Sequence, residues 1–375
     1  MMEADDFAAE LLDEVYNFVG RFVAYPSEAA HVAHVLWIAH THMMQAWEST
    51  PRIAFLSPEP GSGKTRALEI SELLVPRPVE SVNVSPAYLF RKVADEAGAP
   101  TILFDEIDTI FGPKAKDNEE IRGLLNAGHR RGATAGRCVV RGKIIETEEL
   151  PAYCAVALAG LGDLPDTILT RSVIIRMRRR APDEAVEPYR RRVHKPAGDV
   201  VHKRLAGWAE FIAADIGNEW PEMPAGIKDR DADVWEPLLA VAAAAGGHWP
   251  RRARVAAVAL VALSKESTPS LGVKLLADIK TVFNDNEVLA TESILIRLCA
   301  LDESPWSDMR GKPLDDRQLA QKLRPYGIKP RVVRIGTATP RGYHMADFID
   351  AWRRYLSTPP QESATSATSA TAVAA

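Results

Sequence analysis

The feature that most constrains this chain is a run of small residues set between an apolar segment and a helix. Ile53-Ala54-Phe55-Leu56 is followed by Ser57-Pro58-Glu59-Pro60-Gly61-Ser62-Gly63-Lys64-Thr65 and then by the helix-favouring Arg66-Ala67-Leu68-Glu69-Ile70. A strand, a glycine-rich loop and a helix opening on Lys-Thr let backbone N–H groups converge on an anion at the helix N-terminus. In that geometry Gly61, Ser62, Gly63, Lys64, Thr65 and Arg66 bind ATP, Lys64 reaches the β and γ phosphates, and the Thr65 hydroxyl holds Mg²⁺. Pro58 stands where the usual G-x-x-x-x-G-K-[ST] pattern has its first Gly. The loop's entry geometry is therefore open, and a chance surface turn of the same composition is the competing reading.

The partner residues decide between the two. Thr101-Ile102-Leu103-Phe104-Asp105-Glu106-Ile107-Asp108 is an apolar run ending in carboxylates. A buried parallel strand delivers acids to the C-terminal edge of its sheet in this way. Asp105 is then expected in the Mg²⁺ shell, and Glu106 is expected to orient and deprotonate the attacking water. An Asp-Glu pair after apolar residues is common alone. In this order and spacing after the loop, it favours nucleotide hydrolysis.

Composition adds limits rather than a function. At 375 residues, 46% hydrophobic and 26% charged, the chain has room for two or three globular domains. The formal net charge is −4, yet the segment from Pro305 to Tyr355 carries eleven Lys and Arg against five Asp. A basic C-terminal module on an acidic body is the charge pattern expected of a nucleic-acid footprint, and the partner expected is DNA, single- or double-stranded. Cys138, Cys154 and Cys299 are too few and too scattered for a disulfide framework or a zinc site, which points to a reducing, cytoplasmic setting. The start lacks a basic n-region, and the longest apolar run, Val255 to Leu263, is about half of a membrane span, so no membrane partner is expected.

Taken in order, residues 1–50 read as an N-terminal helical lead-in. Phe7, Leu11, Leu12, Val15, Phe18, Val19, Phe22 and Val23 have helical spacing, and Ser27 is a plausible N-cap for a second helix reaching about Trp47. His31, His34, His40 and His42 lie on that second helix. A metal site is the tempting reading, but no Glu completes an H-E-x-x-H pattern and core-type residues alternate with the histidines, so they are read as packing residues. Residues 51–180 alternate strand and helix, as a parallel α/β sheet does. Within them 137–149 reads as an inserted β-hairpin about Arg141-Gly142-Lys143. The next core strand, Cys154 to Leu158 and on to Gly160, carries no Asn or Thr where such ATPases usually place a γ-phosphate sensor. Arg171 precedes the last core strand, where ring ATPases put an arginine finger for a neighbour's nucleotide. A surface ion pair is the alternative. The flanking runs Arg178-Arg179-Arg180 and Arg190-Arg191-Arg192 read as solvated charge.

Residues 181–265 are helical and Ala-rich and read as a lid or connector, with Arg230 a candidate lid arginine. Residues 266–357 show helical stretches at Leu271 to Phe283, Thr291 to Leu301 and Asp315 to Arg324. Two short strands follow, from Val332 to Ile335 and from Gly342 to Met345. Three helices and a hairpin make a winged helix, with Arg317, Gln321, Lys322 and Arg324 on or near the recognition helix and Arg331, Arg334 and Arg341 on the wing. Winged helices also dock proteins, so that role stays open. Residues 358–375, with their Ala-Thr-Ser repeats, are read as a disordered tail.

These residues together resemble an uncharacterised P-loop ATPase family of phages, prophages and other mobile elements, a "domain of unknown function" group often found alone or behind primase or helicase modules. The resemblance runs from about Tyr16 to Leu356. It is carried by Leu56 to Arg66 (with Pro58 in the family's own pattern), Phe104 to Gly112, Leu125 to Gly132, Gly342-Tyr343 and Asp350 to Tyr355. More distantly, the chain looks like ring-forming AAA+ or superfamily-3-like helicases and initiators, whose hairpin lines a pore and grips single-stranded DNA. That likeness implies Lys143 and Arg141 as DNA contacts, a decorative hairpin being the alternative. The expected fold is thus an α/β P-loop NTPase with an AAA+/ASCE-like parallel sheet, helical lead-in, helical lid and C-terminal winged helix. The expected activity is Mg²⁺-dependent ATP hydrolysis coupled to DNA binding, as in a helicase or replication-initiation motor working as a homo-oligomeric ring such as a hexamer, alongside primase or other replication proteins. Two further readings stay open: a nucleotide-gated DNA-binding regulator in maintenance or defence, and an accessory loader for a separate helicase or primase.

Overall fold

The structure, a computed structural model, describes residues 2–81, 85–95, 98–111, 119–141, 144–162, 164–218, 220–266, 271–284, 286–301, 305–309 and 312–356. The chain divides into two compact units, Met1–Lys265 and Glu266–Ala375.

The first unit is built on a five-stranded parallel sheet. In chain order its strands are β1 (Arg52–Ser57), β2 (Pro78–Ser81), β3 (Thr101–Phe104), β6 (Ala155–Leu161) and β7 (Ser172–Arg176), arranged β2-β3-β6-β1-β7. Between β3 and β6 the chain makes an antiparallel pair, β4 (Thr134–Arg141) with β5 (Ile144–Pro151). This is the expected hairpin with longer arms, and its tip residues Gly142 and Lys143 lie outside the described residues.

Both faces of the central strands are buried, and successive side chains alternate between two cores. Ile53, Phe55, Ala157 and Ile175 face one core, while Ala54, Leu56, Leu158 and Ile174 face another. The first face is covered by α1 (Met2–Gly20), α2 (Glu28–Thr41), α3 (Lys64–Leu74), α8 (Arg191–Ile212), α9 (Arg230–Ala245) and α10 (Trp249–Glu266). The second is covered by α4 (Pro86–Val93), α5 (Asp108–Phe111), α6 (Glu119–Ala127) and α7 (Asp166–Leu169). Helix α2 starts where Ser27 Oγ accepts from the Ala30 amide at 3.2 Å. All its residues from Ala30 to Thr41 are buried, so it is apolar on every side because it sits inside the layer. The segments read from sequence as lead-in and lid pack against each other: α8 lies on α1 and α3, and α9 lies on α1 and α2. Each fully buried Leu, Ile or Phe in this layer contributes about 1.5–3 kcal/mol.

The second unit contains α11 (Leu271–Phe283), β8 (Val288–Ala290), α12 (Thr291–Cys299), α13 (Asp316–Leu323), β9 (Arg331–Val332), β10 (Arg341–His344) and α14 (Ile349–Tyr355). The three strands form an antiparallel sheet in the order β8-β10-β9. The sequence pattern shows the β9/β10 pair but not β8, whose three residues are too few for a period-2 signal. Helix α13 begins with a capping box between Asp315 and Gln318. Its core gathers Phe283, Leu298, Trp306, Leu319, Phe348 and Trp352, and the two indoles are pinned by bonds to Asp278 Oδ2 (2.7 Å) and Leu276 O (2.9 Å).

Candidate functional site

Strand β1 ends at Ser57 and α3 begins at Lys64, so the loop between them opens onto the helix N-terminus. Gly61 (φ +74°) and Gly63 (φ +83°) adopt left-handed backbone that a side chain would strain, which turns the chain tightly enough to start the helix. Ser57 Oγ lies at the centre of the loop's polar contacts. It donates to Glu59 O (2.6 Å) and accepts from Ser62 Oγ (2.8 Å) and from Lys64 Nζ (2.7 Å). Lys64 Nζ also donates to Ser62 Oγ at 3.1 Å and to Glu59 O at 3.3 Å. The ammonium is folded into the loop, and its pKa is lowered by partial burial, against the pull of the Asp105 and Asp108 carboxylates.

The acidic segment arrives from two strands away. Thr65 Oγ1 donates to Asp105 Oδ2 at 2.8 Å, and Asp105 Oδ1 accepts from the Glu106 amide at 2.9 Å. Glu106 is exposed and holds φ +54°, a left-handed conformation that costs a residue with a side chain on the order of 1 kcal/mol or more. The turn is fastened to β6 between them: the Ile107 amide donates to Ala159 O (2.9 Å), and the Leu161 amide donates to Asp108 Oδ1 (3.0 Å). A Cβ on Gly160 would lie 2.7 Å from Ile107 Cγ2 and 3.0 Å from Asp108 Oδ1. The end of β6 therefore lacks a polar side chain because the acidic turn fills that space. Asp108, quoted in the sequence but given no role there, is part of this arrangement.

This donor set fits a magnesium triphosphate. An ammonium, the Ser62 and Thr65 hydroxyls and a helix N-terminus face one loop, with a carboxylate against the Thr65 hydroxyl. Mg²⁺ is commonly held by one or two such protein groups with phosphate and water completing the shell. Among the described residues no group of three or more His, Cys, Asp or Glu is arranged to hold a metal ion by itself.

Arg66 is turned to Glu69 (2.9 Å) and lies over the Tyr189 ring at 5.0 Å. Arg171 lies at the other end of the sheet. Its carbonyl accepts from the Arg52 amide at the start of β1, and its guanidinium donates to Thr167 O (3.0 Å) and Asn126 O (3.4 Å). Five steps of about 3.3 Å along the six residues of β1 separate that end from the loop by roughly 17 Å. Arg230, expected over the nucleotide as a lid arginine, is instead beside Arg171, with Nη1 3.3 Å from Thr170 Oγ1. Helix α9 packs along α1 and α2, which carries its first residue to that edge. The two arginines line a cavity of about 380 Å³ with His129, Arg130, Glu48 and Asp233. The Arg171 pKa is lowered by partial burial and by Arg230, and His129 is held down at about 4 by burial and by Arg171 and Arg52. The cavity carries more positive than negative charge.

Of the residues expected to contact DNA, Arg317 and Lys322 are on α13, Arg341 is on β10, and Arg334 lies between β9 and the turn closed by Ile335 and Ala338. Arg317, Arg334 and Arg341 are exposed and Lys322 is half-buried. Arg141 ends β4, and Lys143 lies outside the described residues.

The four histidines of the second helix region are packing groups. His31 is stacked between Tyr16 (3.5 Å) and Tyr25 (4.2 Å). His34 bridges Tyr25 Oη (2.6 Å) and Ser71 Oγ (2.8 Å), His40 meets Thr50 Oγ1 (3.0 Å), and His42 meets Leu74 O (2.7 Å). Burial is the largest cause in each case and lowers their pKa values to about 4, 3, 3 and 4 in that order. No described helix is long and apolar enough to cross a membrane.

Comparison with known proteins yields a family and distant structural likenesses. Residues 176–355 match the family described as protein of unknown function, DUF3631. An uncharacterized 28.9 kDa protein in a xis 5′ region of Saccharopolyspora erythraea is 40% identical over 188 residues, which span 50% of this chain and 71% of that protein. The A-form apo structure of the NrS-1 C-terminal region aligns over 89% of this chain and 74% of its own, at 12% identity and a TM-score of 0.39. A full-length MCM homolog from Methanopyrus kandleri aligns over 68% and 60%, at 16% identity and a TM-score of 0.38.

Proposed function

The chain belongs to the DUF3631 family, and because that family is described as of unknown function, we propose an activity from the residues themselves: Mg²⁺-dependent ATP hydrolysis coupled to DNA binding. The observation that carries this reading is the 2.8 Å contact between Thr65 and Asp105, which joins the phosphate loop to the acidic strand although β6 lies between β1 and β3. An inserted strand at that position is the AAA+/ASCE arrangement. Lys64 and the loop amides bind the phosphates, Thr65 and Asp105 hold Mg²⁺, and Glu106 accepts the proton of the attacking water. Mg²⁺, when bound, would offset phosphate charge. Arg171 acts on a second copy's nucleotide, an assignment supported by its position about 17 Å from its own loop. Such a role requires a homo-oligomer, closed into a ring such as a hexamer. The second unit acts as a winged helix that docks DNA through Arg317, Lys322, Arg334 and Arg341, and the β4/β5 hairpin, with Arg141 and Lys143, offers a further DNA contact. A setting in a mobile element beside primase or other replication proteins completes this reading.

The test is ATP turnover with and without single- and double-stranded DNA, on wild type, Lys64→Ala and Glu106→Gln. Lys64→Ala is expected to lose nucleotide binding. Glu106→Gln is expected to bind Mg²⁺-ATP and turn over at least ~10²-fold slower. Full activity of Glu106→Gln removes the assigned base.

A second reading is a nucleotide-gated DNA-binding regulator that moves no DNA. The observation favouring it is Gly160, which leaves β6 without a polar sensor side chain. ATP turnover without strand displacement on a forked substrate, and indifferent to single strands, selects it over the motor.

A further inference from the structure

Just past β7 the chain runs alongside the phosphate loop. The Met177 amide donates to Leu56 O at 2.7 Å, and Met177 Cε would lie 3.6 Å from a Cβ on Gly63. Two residues on, Arg179 Nε donates to Pro60 O at 3.0 Å, and its Nη2 lies 3.9 Å from Glu59 Oε2. Arg178, by contrast, is bonded to Glu184 at 2.5 Å. Of this arginine run, read from the sequence as solvated charge, Arg179 thus reaches the loop.

We propose that Arg179 is a phosphate-binding residue of this chain's own nucleotide site, a second cation beside Lys64 for the phosphate chain of a nucleoside triphosphate. The inference rests on the nucleotide reading of the loop and adds to it a residue that the sequence assigns to no site. Four considerations converge. The Arg179 and Glu59 side chains are 65% and 67% exposed, so their 3.9 Å pair does little for stability and the guanidinium can re-aim at little cost. A planar guanidinium fork is pre-organised to bind two phosphate oxygens side by side, whereas the Lys64 ammonium is a compact charge with rotatable donors. Gly160 leaves the end of β6 without a polar side chain, so a phosphate contact there has to come from another segment. Glu59 puts a carboxylate on a loop built for anions, and a cation beside it offsets that repulsion.

The experiment titrates a fluorescent ATP analogue with Mg²⁺ into the full chain as wild type, Arg179→Ala, Arg179→Lys, Glu59→Gln and the Glu59→Gln/Arg179→Ala double variant. Thermal unfolding midpoints confirm that each is folded. Arg179→Ala is expected to weaken binding about tenfold or more, and Arg179→Lys to recover only part of that loss. The double variant is expected to stay several-fold weaker than Glu59→Gln alone. Wild-type affinity in Arg179→Ala overturns the proposal while leaving the nucleotide site standing. Equal affinity of the double variant and Glu59→Gln also overturns it, because Arg179 would then act only by screening Glu59. Absence of binding by the wild type itself removes the nucleotide reading, and this inference falls with it.

Discussion

Gly160 shows how a single residue can explain what looks like a missing functional group. From sequence, the end of this strand lacks the polar side chain expected of a γ-phosphate sensor, and the reason is invisible because it comes from a segment distant in the chain. The structure supplies the reason: the turn carrying Asp105, Glu106 and Asp108 crosses so closely that a Cβ at position 160 would sit 2.7 Å from Ile107 Cγ2. Gly160→Ala is therefore expected to destabilise the first unit by about 1–3 kcal/mol through overpacking, read as a lower urea midpoint. It is also expected to slow ATP turnover, because the displaced turn carries the assigned base. Gly160→Asn, which installs the usual residue type, should slow turnover further instead of raising it. A fully active, fully stable Gly160→Asn would show that the turn can give way. Lys64, Thr65 and Asp105 were legible because loop and acidic strand each have a local signature. Arg179 was not, because its relation to the loop is purely tertiary.

The second helix, α2, makes the corresponding point for an element. Its Ser27 cap and apolar pattern announce a helix, and the sequence already reads its four histidines as packing groups; the structure adds which partner each one meets. His34 and His40 are fully buried, each with a hydroxyl partner, and burial lowers their pKa values to about 3. His31 and His42 are lowered to about 4. A group whose folded-state pKa lies below its unfolded value binds fewer protons when folded, so protonation favours the unfolded chain. Stability is therefore expected to fall as pH drops below about 6.5, by up to roughly 1.4 kcal/mol per pH unit per histidine, and to level off near pH 3–4. Urea unfolding at pH 7, 6 and 5 checks this. His34→Gln should lower stability at pH 7 and flatten the pH dependence, and an unchanged slope would mean that other groups set it. Of the parallel strands, β1, β3, β6 and β7 were similarly legible from their apolar runs, whereas β2, Pro78–Ser81, has none. The spatial order of the strands was not legible, since no local pattern records that β6 inserts between β1 and β3.

At the scale of the whole molecule, the local charge excess was readable directly: Pro305 to Tyr355 carries eleven Lys and Arg against five Asp. What the sequence could not show is that Arg171 and Arg230 share one cavity at the far end of the sheet from the phosphate loop. Two guanidiniums facing a common space repel each other, and an anion brought there would relieve that repulsion. The loop from Gly61 to Thr65 lies about 17 Å away along β1, so an anion bound there would not meet these two arginines. If a second copy supplies the relieving anion, the lesions Arg171→Ala and Lys64→Ala belong to different halves of a shared site. Each variant alone is expected to be at least ~10²-fold slower than wild type, the first for want of a neighbour's arginine and the second for want of bound nucleotide. Mixed in equal amounts, they create some interfaces in which an intact phosphate loop meets an intact Arg171, and turnover should rise well above that of either variant alone. The gain should grow with protein concentration, because it depends on assembly. Turnover in the mixture equal to the mean of the separate variants at every concentration would confine Arg171 to its own chain. The cavity would then need another anionic occupant.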